Sequence, residues 1–189
     1  MLLETIRCES GEGHHLPYHQ ARLDNALKTL GYDTSYPLQT LISPPDNRIY
    51  RCRFLYDQNG YRIEYHPYIP KKIASLRLVQ GDDVEYSLKF ADRDALNLLY
   101  EKRDGCDDIL IVKNGLITDT TIANIALYIQ GKWITPSRPI LEGTTRARLI
   151  ENGTLSTAYL TPSDCTKATK VAIMNAMLGF VEVDNGIIT

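Results

Sequence analysis

Residues 115–148 read GLITDTTIANIALYIQGKWITPSRPILEGTTRAR and contain most of the pattern that decides the fold. The apolar runs 122–129 and 133–135 predict two strands. Apolar periodicity at 147–150, followed by the stop signal at 152–153, predicts a helix immediately after them. A strand pair that leads into a helix is therefore the starting point for the rest of the chain.

The predicted helix begins at Thr144 and Thr145, directly after Gly143. The N–H groups of a first helical turn have no partner inside the helix and carry partial positive charge, so they bind phosphate well, and threonine hydroxyls add donors. The alternative is that Thr144 is only an N-cap, which is a common role of threonine at a helix start. Taken alone, this motif favours the cap.

Asp119 follows a short apolar run, 116–117, that leaves a predicted hairpin. A carboxylate at this position can face a pyridine nitrogen and keep it protonated, which makes the ring an electron sink. The alternative is a turn residue at the end of a strand with no chemical role.

Lys89 lies between a predicted strand, 84–88, and a helical pattern, 95–100. A lysine that is partly buried near positive charge is more easily neutral, and a neutral amine can form a Schiff base and move a proton. Most lysines are solvated surface groups, and the local composition is compatible with that alternative too.

The N-terminal part predicts one helix and one hairpin. Residues 17–31 have the apolar stripe of a helix with Gly31 as its stop, and Arg22 lies at the border of the buried face, where it can reach an anion. The runs 48–55 and 61–68 flank an Asn-Gly pair, which predicts a hairpin whose turn takes positive φ.

The segment around Pro67, Pro70 and the two following lysines is the predicted linker. We therefore expect a small N-terminal α/β domain at 1–70 and a larger C-terminal domain at 71–189. The larger domain would carry Lys89 and the phosphate-binding turn.

Composition excludes several classes of protein. A chain of 189 residues with 43% hydrophobic and 23% charged residues can bury a real core, and a net charge of −2 gives no basic surface for nucleic acid or anionic lipid. The four cysteines form neither a C-x-x-C pair nor a disulfide pattern, and no metal site is expected. No apolar run reaches the ~20 residues of a membrane helix, so we expect a cytoplasmic protein.

Taken in order, these features resemble the fold-type IV pyridoxal-phosphate enzymes, also called the class IV aminotransferase family. The resemblance rests on the run Leu3-Glu4-Thr5-Ile6-Arg7, His19-x-x-Arg22-Leu23, Lys89, Asp119, the turn Gly143-Thr144-Thr145, and the strand–turn–strand segment 171–183. It implies an α+β fold with two small α/β domains of the D-amino acid aminotransferase-like architecture. It also implies that pyridoxal 5'-phosphate lies in the cleft between them.

The resemblance implies a role for each matching residue. Lys89 would join the cofactor as a Schiff base and shuttle the proton, and Arg22, Thr144 and Thr145 would bind the cofactor phosphate. Asp119 stands where the family ordinarily has a glutamate that faces the pyridine nitrogen, so its arm is one methylene shorter.

Two further positions depart from, or extend, the family pattern. Asn175 stands in the segment that approaches the phosphate and the substrate carboxylate, where many members have threonine. Arg93 is the candidate for contact with the phenolic oxygen of the cofactor.

The segment Lys89-Phe90-Ala91-Asp92-Arg93 is similar to the Lys-x-x-Asn-Arg of the lyase branch, which includes aminodeoxychorismate lyase. This implies release of pyruvate and p-aminobenzoate, as in folate biosynthesis, by a homodimer that acts on a small-molecule amino substrate. One alternative is a branched-chain or D-amino acid aminotransferase. A second alternative, suggested by a chain shorter than is usual in the family, is a non-catalytic relative that binds the cofactor.

Overall fold

The computed structural model describes residues 1–188, which form two compact units. The first unit contains Met1–Pro70 and Leu88–Asp92. The second contains Lys71–Ser87 and the described residues from Arg93 onward. The segment Leu88–Asp92, which carries Lys89, thus groups with the first unit, whereas the sequence pattern placed it in the second.

The first unit is a four-stranded antiparallel sheet with two helices. Its elements are β1 (Leu2–Glu9), β2 (Glu12–Gly13), α1 (Leu16–Thr29), α2 (Leu38–Leu41), β3 (Tyr50–Asp57) and β4 (Gly60–Pro67). The strands lie in the order β2-β1-β3-β4. The helix α1 confirms the prediction for 17–31, because its apolar stripe is buried and Gly31 follows its end with φ +70°.

The hairpin of β3 and β4 confirms the predicted strand pair, with Asp57 opposite Gly60. The predicted turn conformation is wrong, because neither Asn59 nor Gly60 has positive φ. The Asp57 carboxylate instead accepts the N–H of Asn59 at 2.8 Å, so a side chain stabilises the turn.

The second unit contains two sheets and three helices. Its elements are β5 (Leu76–Gln80), α3 (Asp94–Tyr100), β6 (Asp108–Lys113), β7 (Leu116–Ile117), β8 (Asn124–Ile129), β9 (Lys132–Pro136), α4 (Thr144–Glu151), β10 (Ser156–Ala158), α5 (Pro162–Cys165), β11 (Lys170–Asn175), β12 (Gly179–Glu182) and β13 (Ile187–Ile188), with a 3₁₀ turn at Glu101–Arg103. One sheet has the order β10-β9-β8-β11-β12 and the other β13-β5-β6-β7.

Both sheets of the second unit contribute to one hydrophobic core. Leu76 and Leu110 come from one sheet, Ile125, Leu127 and Ile173 come from the other, and all five are buried. Since β6, β8 and β11 are central strands, their near-continuous apolar runs follow from burial on both faces. The core therefore fixes where β7 ends and β8 begins, and with them the polar residues between these two strands.

The prediction of a strand at 84–88 is wrong. Val84 and Tyr86 are buried and Glu85 and Ser87 are exposed, which gives the alternation of a strand. The segment is not part of any strand, however, and leads instead to a turn at Lys89. Among residues 1–188, no helix combines the length and apolarity that a membrane span requires.

Candidate active site

Asp119 and Asn124 form a buried polar pair in the second unit. Asp119 follows β7 and Asn124 is the first residue of β8. The two form an isolated antiparallel bridge, and each is only 5% exposed. The Asn124 amide Nδ2 donates to Asp119 Oδ1 at 2.7 Å. The sequence predicted the position of Asp119 at the end of a strand, and the structure places it there, inside the protein rather than in an exposed turn.

The same pair holds the backbone of Leu141. Asp119 Oδ2 accepts the N–H of Leu141 at 2.8 Å, and Asn124 Nδ2 also donates to the carbonyl oxygen of Leu141 at 2.8 Å. Burial raises the pKa of Asp119 to about 6, although the Leu141 N–H, the Asn124 amide and the charge of Arg146 each lower it in part.

The helix α4 begins three residues beyond Leu141 at a buried, uncapped start. Gly143 occupies the N-cap position and has no side chain that could cap the helix, so Thr144 is the first helical residue rather than the cap. Thr144 is 7% and Thr145 4% exposed. The first N–H groups of the helix therefore lie in a buried environment with two hydroxyls beside them, which is the arrangement that favours an anion.

Arg146 adds positive charge to the first turn of α4. Its Nη2 donates to the carbonyl oxygen of Pro136 at 2.7 Å, and its Nε is buried without a hydrogen-bond partner among residues 1–188. Burial lowers the pKa of Arg146, and the charges of Asp119 and Glu142 act against that effect. The helix start therefore combines an arginine with orphan N–H groups.

Asn175 ends β11 and shapes the turn that follows it. Its Oδ1 accepts the N–H groups of Met177 and Leu178 at 2.9 and 2.8 Å, and its Nδ2 donates to the carbonyl oxygen of Ile122 at 3.1 Å. The side chain thus connects the turn between β11 and β12 to the chain just before β8.

Arg93 also lies in the second unit, immediately before α3. Its Nη2 donates to the carbonyl oxygen of Thr121 at 2.8 Å. The Thr121 hydroxyl in turn donates to Asp108 Oδ1 at 2.7 Å, so that a buried acid, a threonine and this arginine form one chain of contacts.

Lys89, in the first unit, is half-buried at a turn that is attached to β1. The N–H of Phe90 donates to the carbonyl oxygen of Leu88 at 2.9 Å, which centres a tight turn on Lys89. The carbonyl oxygen of Lys89 accepts the N–H of Leu3 at 2.8 Å, and Phe90 forms a bridge with Leu2. The backbone of the lysine is therefore fixed by the first strand of the chain.

Arg22 forms a bidentate ion pair with Glu4 in the first unit. Its Nε donates to Glu4 Oε1 at 2.8 Å and its Nη2 to Glu4 Oε2 at 2.6 Å. His19 Nδ1 lies 2.6 Å from Glu4 Oε2. Burial would raise the pKa of Glu4, but the charge of Arg22 and the hydrogen bonds from His19 and Arg22 outweigh it and lower the pKa to about 2.

From the sequence, Glu4 and His19 entered only as part of the family resemblance and had no assigned role, whereas in the structure Glu4 binds both Arg22 and His19. A signal was present, because Glu4 lies between the apolar residues Leu3 and Ile6 and His19 lies three residues before Arg22 on the same helix. Within the second unit, the structure brings Asp119 together with the turn that precedes Thr144 and Thr145. Within the first unit, it joins Arg22 to β1, to which the turn at Lys89 is also attached.

Comparison with known proteins gives a family match over most of the chain. The model of the family described as amino-transferase class IV matches residues 57–185. An uncharacterized protein of Haemophilus influenzae is 34% identical over 184 residues, which cover 94% of this chain and 98% of that protein.

Two further relatives carry functional names. The solved structure of a putative 4-amino-4-deoxychorismate lyase from Haemophilus somnus 129pt is 32% identical, with a TM-score of 0.88 and coverage of 94% of this chain and 96% of that chain. A putative aminodeoxychorismate lyase of Schizosaccharomyces pombe is 28% identical over 82% of this chain and 74% of its own length. The two Haemophilus proteins are matched over nearly their whole length, so the short chain length is shared by relatives.

Proposed function

The chain belongs to the class IV aminotransferase family of pyridoxal-phosphate-dependent enzymes, and from that premise we propose that it is a lyase that converts 4-amino-4-deoxychorismate into pyruvate and p-aminobenzoate. The reaction class comes from the names of the two lyase relatives. The observation that carries the proposal for this chain is the buried, uncapped start of α4, where Gly143 precedes Thr144 and Thr145.

The residues of this helix start fit the phosphate of pyridoxal 5'-phosphate. The orphan N–H groups, the two threonine hydroxyls and the unpartnered Nε of Arg146 are all donors, which is what a phosphate group requires. A side chain at position 143 would overlap the side-chain oxygen of Asn124, so glycine lets the backbone at the helix start lie against this amide. We assign phosphate binding to Thr144 and Thr145.

Arg22 is the second phosphate ligand in this proposal. Its bidentate pair with Glu4 fixes the plane of the guanidinium, and His19 fixes Glu4 in turn. A guanidinium that is held in one orientation loses less side-chain entropy when it binds an anion. Glu4 and His19 therefore support the binding role of Arg22.

Lys89 is the catalytic residue in this proposal, because its Nζ would hold the cofactor aldehyde and, once the substrate amine has replaced it there, would be free to move protons. When bound, pyridoxal phosphate supplies an electron sink that stabilises negative charge on the substrate. Lys89 Nζ removes a proton from the ring carbon, the ring C–O bond breaks, and Nζ returns a proton to the three-carbon group that leaves as pyruvate. The reaction consumes neither water nor an oxidant, because the atoms of the substrate are all found in the two products.

Asp119 and Asn175 complete the proposed set of cofactor-binding residues. The family resemblance assigns the carboxyl of Asp119 to the pyridine ring, and it assigns the turn that Asn175 holds to the phosphate and the substrate carboxylate. The hydrogen bonds of Asn175 to Met177 and Leu178 support a turn of fixed shape at that position.

A product assay with matched variants tests the reaction. Protein loaded with pyridoxal phosphate is mixed with 4-amino-4-deoxychorismate, and pyruvate and p-aminobenzoate are measured. We expect equimolar products, loss of turnover in Lys89→Ala, and normal turnover in a control at the exposed Lys132, Lys132→Ala. Glutamate formation from an amino acid and 2-oxoglutarate would contradict the lyase and favour the aminotransferase. Cofactor binding without any product would identify a non-catalytic relative.

We further propose that the active form is a cytoplasmic homodimer that serves folate biosynthesis. The support is the resemblance to the family, in which the partner subunit contributes residues to the substrate pocket. Sedimentation velocity at assay concentration tests it. A dimer is expected, and a monomer that turns over substrate at the normal rate would contradict it.

A further inference from the structure

We propose that Asp119 and Asn124 are positioning residues that hold the turn before α4 in the shape that binds the cofactor phosphate. This inference rests on the proposed function, since it assigns the phosphate to the start of α4. It differs from the role that the family resemblance gives to Asp119, which concerns the ring nitrogen. The two roles predict different affinities for ligands with and without a phosphate, so a binding experiment can distinguish them.

The geometry is a closed ring of three hydrogen bonds around one backbone residue. Asp119 Oδ2 accepts the N–H of Leu141 at 2.8 Å, Asn124 Nδ2 donates to the carbonyl oxygen of Leu141 at 2.8 Å, and the same amide donates to Asp119 Oδ1 at 2.7 Å. Both polar groups of the Leu141 backbone are thereby satisfied by the pair. The position of the chain two residues before Gly143 and three before Thr144 is thus fixed.

Asn124 also sets the shape of the chain at Gly143. A Cβ at this position would overlap Asn124 Oδ1, so the backbone of the N-cap residue packs directly against the amide. Only glycine allows this approach. The pair therefore reaches the helix start from two sides: it binds the backbone at Leu141, and it packs against Gly143.

Burial makes these contacts strong. Asp119 and Asn124 are both 5% exposed, and a hydrogen bond to a charged buried group contributes more than one at the surface. Each carboxylate oxygen of Asp119 already accepts one donor of the protein, and both donors belong to this ring. The carboxylate of Asp119 is therefore oriented by Asn124 and Leu141. This role does not require the shorter side chain of aspartate to reach the pyridine nitrogen.

A comparison of three ligands separates the two roles. Pyridoxal 5'-phosphate, pyridoxal, which lacks the phosphate, and inorganic phosphate are titrated against the parent chain, Asp119→Asn and Asn124→Ala. Asp119→Asn keeps the shape but replaces an acceptor by a donor, and Asn124→Ala breaks the ring without altering the carboxyl. The controls are Asp83→Asn and Asn97→Ala, both at exposed positions.

We expect Asp119→Asn and Asn124→Ala to bind pyridoxal phosphate and inorganic phosphate at least ~10-fold more weakly than the parent, which is the effect of losing a hydrogen bond to a charged group. Both variants should bind pyridoxal within about 3-fold of the parent. Thermal unfolding must show that the variant is folded. If Asn124→Ala does not fold, Asp119→Asn alone gives the comparison between the affinity for pyridoxal phosphate and the affinity for pyridoxal.

Other outcomes overturn the inference. Equal weakening of pyridoxal phosphate and pyridoxal would assign Asp119 to the ring or to folding alone, and unchanged affinities would remove it from binding. A parent chain that binds pyridoxal but gains nothing from the phosphate would place the phosphate elsewhere. A parent that binds neither compound would contradict the proposed function itself, which is a distinct result.

Discussion

Glu4 and His19 are 15 residues apart in the chain and meet inside the first unit, where 2.6 Å separates Glu4 Oε2 from His19 Nδ1. Glu4 is fully buried and His19 is 1% exposed. With Arg22 on its other side, the carboxylate receives donors from two positions of α1. The strand β1 and the helix α1 are therefore joined by charge as well as by apolar contacts.

This pair makes the stability of the first unit sensitive to acid. The pKa of Glu4 is lowered to about 2, whereas an unfolded glutamate titrates near 4.3. The contribution is therefore complete above about pH 4 and is lost as the pH falls through 4 toward 2, with a size of about 3 kcal/mol. Urea unfolding followed across this range should show the loss in the parent.

The matched variants are Glu4→Gln and Glu9→Gln. Glu4→Gln leaves Arg22 without its carboxylate and should lower the free energy of unfolding by about 3–5 kcal/mol at neutral pH. Glu9 is partly exposed and pairs with the half-buried Arg7, so its replacement should change little. A Glu4→Gln chain with the stability of the parent would show that the pair contributes nothing.

Gly143→Ala should damage the helix start. The new Cβ would overlap Asn124 Oδ1, and the amide cannot move without breaking its bonds to Asp119 and Leu141. We expect a loss of about 1–3 kcal/mol in the free energy of unfolding, as for overpacked buried sites, together with weaker binding of inorganic phosphate. Gly60→Ala is the control, because among residues 1–188 no atom beyond the two chain neighbours would lie within 4 Å of its Cβ. Equal stabilities of the two variants would exclude the close contact.

Asp119 should give a pH dependence of the opposite sign to that of Glu4. Its pKa is raised to about 6, so the folded chain keeps a proton that the unfolded chain has lost between about pH 4 and 6. The free energy of unfolding should therefore decrease by about 3 kcal/mol as the pH rises across this range. Asp119→Asn cannot titrate and should lack this slope, while Asp83→Asn should retain it. A slope that survives in Asp119→Asn would assign it to another group.

The side-chain oxygen of Asn175 should stabilise the turn between β11 and β12. Replacement by alanine leaves the N–H groups of Met177 and Leu178 without their acceptor, which should lower the free energy of unfolding by about 1–3 kcal/mol. Asn175→Asp keeps the acceptor and should lose less. If the two variants unfold at the same urea concentration, the turn does not depend on this oxygen.

Local patterns in the sequence predicted the elements whose cause is local. The periodicity and stop signals of α1 and α4 are contained in the segments themselves, and the strand pair β3 and β4 follows from two apolar runs around one turn. The segment 84–88 shows the limit of such patterns, because Val84 and Tyr86 are buried in alternation without a neighbouring strand to pair with. Burial alternates along a half-buried strand and along residues 84–88 alike, and only hydrogen bonds to a neighbouring strand distinguish the two.

The contacts that define the candidate site join distant parts of the chain. The turn at Lys89 is placed by Leu2 and Leu3, more than 80 residues earlier, and Asp119 is fixed by Leu141. No local spacing encodes these pairings. The sequence could therefore identify Asp119 and Thr144 as candidate site residues, but the ring of hydrogen bonds around Leu141 could be found only from the structure.

The attachment of the cofactor to Lys89 is the claim on which the proposed function depends. Borohydride reduction of protein incubated with pyridoxal phosphate fixes the cofactor to the amine that holds it, and peptide mass spectrometry then locates the added mass. The expected result is one pyridoxyl group per chain on the peptide that contains Lys89, together with a visible absorption band that Lys89→Ala lacks and Lys132→Ala retains. Modification spread over other lysines, or an unchanged band in Lys89→Ala, would contradict the account.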